Sequence, residues 1–139
     1  MTPPAMHEIA GSSRWIACYP AHEPREHDPH HKLFTAARNL LISRGTGCWR
    51  CGSMEHLEAH HCLVEWALIN GIDVNDIAKD FPAITDVESL HAWAEGPDNL
   101  EILCRDCHRG PMGVHLIPYP LWVAQRWAAD NTQFLRRPS

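Results

Sequence analysis

The sequence contains no apolar run close to the roughly 18 residues that a bilayer-spanning helix needs. Its first ten residues also lack the cationic start and long apolar stretch of a secretory signal. Neither an internal repeat nor a low-complexity tract is present among the 139 residues. These absences predict one domain in the cytoplasm with no membrane partner, and in that reducing compartment cysteines are more often metal ligands than disulfides.

No single sign of charge dominates the whole chain, although its segments differ strongly. The net charge of −5 by itself argues against a nucleic-acid partner. Residues 30–51 nevertheless carry four basic side chains and no acid, and residues 102–139 carry five arginines against two acids. Residues 52–101 between them carry eleven acids and only Lys79. Two basic blocks permit DNA binding, and we expect the acidic middle to face away from DNA or to contact a protein partner.

The periodicity of apolar residues predicts an α+β fold. Residues 1–29 are interpreted as an N-terminal arm that docks through Trp15, Ile16 and Tyr19, and residues 131–139 as a C-terminal tail. Residues 30–130 form the predicted domain, with a helical insertion at about 62–97. We predict strands at 54–61 and 99–103, and helices at 32–44, 62–70, 73–81, 85–95, 104–109 and 120–129. Asp73 is the predicted cap of the helix at 73–81, and the helix at 85–95 follows a capping-box spacing from Thr85 to Glu88.

Four of the six cysteines form two Cys-x-x-Cys pairs, Cys48 with Cys51 and Cys104 with Cys107. Four thiolates around one Zn²⁺ make a closed structural site that contributes to folding. The alternatives are ordinary core thiols and a c-type haem attachment, since residues 104–108 also spell Cys-x-x-Cys-His. Haem attachment normally follows export and leaves the first pair unexplained, so the spacing favours structural zinc.

Four further polar residues lie beside these cysteines in the sequence: His60, His61, Asn99 and His108. Any one of the chain's eleven histidines is readily explained as a surface residue or a satisfied polar residue. A zinc ion that joined the two cysteine pairs would, however, draw these places in the sequence into one region. Hydrolysis of a phosphodiester needs a base for water and a cation near the scissile phosphate, and imidazoles can serve both needs.

These motifs together resemble an HNH endonuclease with a ββα-metal core. The matching segments are Cys48-Trp49-Arg50-Cys51-Gly52, Glu58-Ala59-His60-His61 and residues 98–108, Asp-Asn-Leu-Glu-Ile-Leu-Cys-Arg-Asp-Cys-His. The resemblance covers the chain from Cys48 to His108, interrupted by the insertion. Small proteins of this kind are frequent in bacteriophage genomes, so the resemblance implies a phage-encoded DNA endonuclease in the bacterial host cytoplasm.

The resemblance implies a role for each matching residue. His61 would be the general base, and Asn99 would fix the loop and orient that base through its side-chain amide. His60 and His108 would bind the catalytic divalent ion, with His115 as a further ligand at a spacing longer than the family's usual one. Because neighbouring strand residues point to opposite faces, His60 and His61 can share a site only if the strand ends or bulges there, and we expect that irregularity.

Three questions stay open in the sequence. The catalytic ion is Mg²⁺, Mn²⁺, Ni²⁺ or Zn²⁺, with imidazole ligands favouring a transition metal. Arg105 and Arg109, on either side of the second cysteine pair, are candidates for phosphate contacts, although solvated surface is the plainer interpretation. The alternative function is a zinc-stabilised module of HNH type that binds DNA or protein without cleavage, which the acidic insertion favours.

Overall fold

The computed structural model describes residues 10–11, 16, 18–130 and 132–136. Its two strands are β1, Leu57–His61, and β2, Leu100–Cys104. The α-helices are α1, His31–Ser43; α2, Val74–Asp80; α3, Val87–Ala94; α4, Arg105–Arg109; and α5, Tyr119–Ala124. Short 3₁₀ helices span Arg25–His27, Trp66–Gly71, Pro97–Asn99 and Gln125–Trp127. The chain is therefore mixed α+β, as predicted, with two strands followed directly by α4.

The two strands form an antiparallel ladder in regular register from Leu57 opposite Cys104 to His61 opposite Leu100. Residues directly opposite each other in such a ladder share a face, and successive residues alternate between faces. One face therefore carries Glu58 and His60, and the other carries His61. The irregularity expected at the histidine pair is limited to the end of β1 at His61, since the pairing up to that residue has no bulge and the two histidines lie on opposite faces.

Two groups of buried apolar residues hold the elements together. The first surrounds the cysteines and comprises Cys48, Leu103, Cys104, Cys107 and Trp122. The second lies within the insertion between the strands and comprises Ile69, Ile84, Leu90, Trp93 and Ala94. The insertion thus has apolar contacts of its own, which allows α2 and α3 to fold as an addition to the two-stranded core.

Most predicted helices are present, with two corrections in the insertion. Residues 62–70 were predicted to be helical throughout, but only Trp66–Gly71 turns, and as a 3₁₀ helix. The capping box at the start of α3 is formed by Asp86 and Ser89 rather than Thr85 and Glu88. In the short α2, by contrast, the predicted cap is confirmed, since Asp73 accepts a hydrogen bond from the backbone N–H of Asp76 at 2.9 Å.

The segment before α1 contacts the insertion through different residues from those expected. Ile16 is 90% exposed and Tyr19 is 58% exposed, while Trp15 lies outside the described residues. The contacts come instead from Asp28, which accepts a hydrogen bond from the Trp66 indole at 2.6 Å, and from Arg25. Within the described part of the chain, no helix is long and apolar enough to cross a membrane.

Trp122 is the largest fully buried side chain among the described residues, and its indole N–H donates to the carbonyl of Cys107 at 3.1 Å. Trp122→Ala should destabilise the protein by about 3–5 kcal/mol, because it leaves a cavity beside the cysteines. Trp127, which is 68% exposed, provides the matched control, and Trp127→Ala should change stability by less than about 1 kcal/mol. Urea unfolding at a fixed zinc concentration measures both. Equal losses in the two variants would contradict this description of the core.

Candidate metal centres

The four predicted cysteines converge on one place. The sulfur atoms of Cys48, Cys51, Cys104 and Cys107 all lie within 4.8 Å of one another. The first pair sits in a tight turn closed by a 2.8 Å hydrogen bond from the Gly52 N–H to the Cys48 carbonyl, and Gly52 has a φ of +80° that favours glycine. The second pair lies at the start of α4, where Cys104 is the N-cap and its sulfur accepts from the Cys107 N–H.

The distances and charges of this cluster fit a tetrahedral metal ion. The Cys51 and Cys104 sulfurs are 3.8 Å apart, and a Zn–S bond of about 2.3 Å gives a tetrahedral edge of about 3.8 Å. Burial would raise the pKa of the Cys48 thiol, but nearby backbone N–H groups outweigh it and lower that pKa to about 7. Burial and the neighbouring sulfurs raise the pKa of Cys51 and Cys107. Four adjacent thiols cannot all ionise easily without a cation, which a divalent ion would supply.

Replacing Cys104 with Ser should remove the bound metal and unfold or aggregate the protein, because metal binding and folding are coupled in such sites. Cys62 is the matched control, since it is half-buried and lies outside the cluster. Cys62→Ser should therefore retain one zinc per chain. Elemental analysis of the purified variants, with circular dichroism, makes the comparison. A folded Cys104→Ser variant with full zinc content would contradict the assignment.

Three histidines form a second cluster near the first. The rings of His60, His108 and His115 have centroids 4.7–5.0 Å apart, and one nitrogen from each lies within 4.8 Å of the others. His60 comes from β1 and His108 from α4, so the antiparallel ladder and the strand-to-helix junction place them together. Three imidazoles leave coordination positions open, which is typical of catalytic metal sites.

His115 joins this cluster in spite of its seven-residue spacing from His108. The chain turns back sharply after α4, with the Val114 N–H donating to the Cys107 carbonyl at 2.9 Å. Gly113 lies so close to the backbone of α4 that an added Cβ would come within 2.8 Å of the His108 carbonyl oxygen. A glycine at this point therefore permits the close return that brings His115 over His108.

Glu58 supports the histidine cluster and was missed in the sequence. Its carboxylate accepts hydrogen bonds from Nδ1 of His108 at 2.9 Å and from Nε and Nη2 of Arg109 at 2.8–3.1 Å. The Arg109 hydrogen bonds, with a smaller opposing effect of burial and a further contribution from His108, lower the pKa of Glu58 to about 2. A carboxylate on the second nitrogen fixes a ligating histidine's tautomer and orientation. The alternation of strand residues could have identified Glu58, which lies two before His60 and so shares its face.

His60 is the most buried of the three ligand candidates, at 7% exposure. The pKa of His60 is lowered to about 3, chiefly by burial and then by the nearby His108, His115 and His61 in that order. An imidazole that stays unprotonated is the form that binds a metal. The burial of His60 therefore suits it to coordinate an ion and not to carry a positive charge.

His61 lies on the opposite face of the ladder and meets a carboxylate instead of the other histidines. Its Nε2 is 2.7 Å from Oε1 of Glu95, a fully buried residue, and its ring stacks on Phe34 with centroids 5.2 Å apart. Arg25 Nη1 forms an ion pair with Oε2 of Glu95 at 2.7 Å, although the geometry is not that of a hydrogen bond. Among the described residues nothing hydrogen-bonds to His61 Nδ1. Glu95 had no distinguishing signal in the sequence, since it is the C-cap of α3 and belongs to none of the quoted motifs.

Asn99 is fully buried and secures the loop that follows β1. Its Oδ1 accepts from the backbone N–H groups of Leu63 and Val64 at 3.0–3.1 Å. Its Nδ2 donates to the carbonyls of Val64 and Ala94 at 2.9 Å. Asn99 thus ties the residues just after His61 to the end of α3, next to Glu95, without touching the His61 ring itself.

The two arginines proposed for DNA binding differ in their surroundings. Arg109 forms the ion pair with Glu58 described above, with its side chain 61% exposed. Arg105 is exposed, and in the described part of the chain its side chain has no partner. Arg105 is therefore the freer of the two to meet a phosphate, whereas Arg109 is already oriented by a carboxylate.

Comparisons with models of protein families, with curated proteins and with solved structures give no match for this chain. The resemblance to HNH endonucleases therefore rests on the motifs, and the geometry described above is independent of it. The structure shows a mixed α+β fold, a cysteine cluster at metal-binding distances and a group of three histidines beside that cluster.

Asn99→Ala should destabilise the protein by at least about 2 kcal/mol, because it leaves several backbone groups of the loop without partners. Asn75, an exposed residue of α2, serves as the control, and Asn75→Ala should change stability by no more than about 0.5 kcal/mol. Urea unfolding of both variants gives the two values. If Asn99→Ala is as stable as wild type, the loop does not depend on this amide.

Proposed function

We propose that this protein is a metal-dependent DNA endonuclease of the HNH type. The observation that carries the proposal is that His60, His108 and His115 converge on one point. His60 and His108 lie on a ββα unit whose β2–α4 junction also supplies Cys104 and Cys107 to the four-cysteine cluster. Three imidazoles leave coordination positions open for water and substrate, which a closed structural site does not need. The finer assignments, namely DNA as substrate and a working ion among Mg²⁺, Mn²⁺, Ni²⁺ and Zn²⁺, follow from the resemblance and the donor set.

The residues divide the chemistry of phosphodiester hydrolysis among them. His60, His108 and His115 would hold a divalent cation, which would supply positive charge at the scissile phosphate. Glu58 keeps His108 in one tautomer and orientation by accepting from its Nδ1. Arg105, exposed at the start of α4, is placed to meet a neighbouring phosphate of the backbone. Positioning of the phosphate thus comes from α4 and the turn that follows it.

His61 is the proposed general base, with Glu95 as its positioning residue. Glu95 accepts from His61 Nε2 at 2.7 Å, which leaves Nδ1 as the nitrogen that can take a proton from water. A buried carboxylate behind an imidazole holds the ring and stabilises the imidazolium that forms. His61 is the last residue of β1, so substrate bound at this end of the ladder would lie near both faces.

A second candidate function is a zinc-stabilised module that binds DNA or protein without cleaving it. The observation that favours it is the side of the ladder on which His61 lies, turned from the three histidines and engaged with Glu95. The eleven acids of residues 52–101 also suit a protein partner better than DNA. The cysteine cluster is equally compatible with both functions, because its role is structural.

Nicking of supercoiled plasmid over a panel of divalent ions tests the proposal. His61→Ala should lose about 10²- to 10⁴-fold in cleavage rate, the usual contribution of a positioned base, with zinc content and fold retained. His108→Ala should require more metal for activation, and added Mn²⁺ or Ni²⁺ should partly restore its activity. Glu95→Gln should slow cleavage less than His61→Ala, because it loosens the base without removing it.

His27 provides the control for general loss of imidazoles, since it is exposed and lies outside both clusters. His27→Ala should cut at the wild-type rate. Equal cutting by wild type and His61→Ala would remove His61 from the chemistry. Absence of cutting by the wild type under every ion, with DNA or protein still bound, would favour the binding module.

A further inference from the structure

A third group of ligand residues lies outside both clusters, where the segment before α1 meets α3. One ligand atom each from Asp28, His30 and His91 lies within 4.8 Å of the others. Asp28 and His30 precede α1, while His91 belongs to α3 and its ring centroid is 5.5 Å from that of His30. Two imidazoles and one carboxylate are a donor set for divalent transition metals with positions left open.

The residues behind these ligand atoms already orient them. Oδ2 of Asp28 accepts from the Trp66 indole at 2.6 Å, and Oδ1 accepts from the backbone N–H of His30 at 2.9 Å. His30 Nε2 is 2.7 Å from Oε1 of Glu88, a carboxylate exposed to solvent. A carboxylate on the far nitrogen of a ligating histidine is the common arrangement around protein-bound metals.

The other nitrogen of His30 is left without a hydrogen bond. Nδ1 is buried and lies 3.4 Å from Asp28 Oδ1, at a geometry that does not satisfy it. Buried polar atoms normally have a partner, so an orphaned nitrogen between a buried carboxylate and a second histidine needs an explanation. The Asp28 side chain is only 7% exposed, and the three residues line a cavity of about 310 Å³ that gives a cation room to enter.

We propose that Asp28, His30 and His91 form a third metal site, for a divalent transition ion, with His30 Nδ1 as one donor. The site goes beyond the proposed nuclease function and does not rest on it. Since it joins the segment before α1 to the insertion, its occupancy would fix that segment in place. The same segment carries Arg25, which reaches Glu95.

A metal titration isolates this site from the histidine cluster at His60. The background for the titration is the full chain with zinc on its cysteines and with the substitutions His108→Asn and His115→Asn. It is titrated with Zn²⁺ by isothermal calorimetry. This background should bind one further equivalent of Zn²⁺ per chain. Adding His91→Asn should abolish that equivalent, and adding Asp28→Asn should do the same while retaining an acceptor for Trp66. Adding Glu88→Gln should weaken binding by about tenfold, the lower end for such supporting residues, because Glu88 is exposed.

His22 is the matched control, as it lines the same cavity but does not belong to the three-residue group. Adding His22→Asn should leave the equivalent and its affinity unchanged. Absorption of Co²⁺ bound in place of the added Zn²⁺ should show no thiolate band, since the donors are nitrogen and oxygen. The proposal would be overturned if the background bound no further Zn²⁺, or if it bound the same amount with and without His91→Asn. Either result would count whatever the plasmid assay shows. Melting curves without added metal verify that each variant is folded.

Discussion

The regular antiparallel pairing of β1 with β2 determines the arrangement of every other element near the candidate site. Because the ladder runs without a bulge from Leu57 to His61, the adjacent side chains of His60 and His61 point to opposite faces of it. His60 turns to α4 and meets His108, whereas His61 turns to Phe34 and the buried Glu95. The same pairing sets Cys104 at the end of β2, where it both caps α4 and joins the cysteine cluster.

This division gives the two histidines different electrostatic surroundings. His60 is buried beside two other imidazoles, so burial and its neighbours lower its pKa to about 3 and keep it in the form that binds metal. His61 faces a carboxylate that Arg25 approaches from the other side. The metal ligand and the proton acceptor that we propose would need such opposite environments, and adjacent positions on one strand supply them.

The insertion contributes to the site as well as extending the fold. It provides Glu95, and Asn99, just beyond its C-terminal end, makes the hydrogen bonds that hold the loop after β1. Its own apolar core around Trp93 makes α3 a firm support for these groups. One acidic residue of the insertion is therefore not on the surface, since Glu95 is fully buried between His61 and Arg25.

The sequence by itself determined the features that depend on local spacing. Paired Cys-x-x-Cys turns, helical periodicity in α1 and the polar cap of α2 are encoded within a few residues, and each is present in the structure. Tertiary structure alone decided which side chains meet across the chain. The face on which His61 lies depends on the strand register. Glu95 contacts Arg25 because two segments that are distant in sequence pack together, and Asp28 likewise lies beside His91, which is 63 positions away in the sequence. Such contacts carry no local pattern, because they arise from packing between elements that are far apart in sequence.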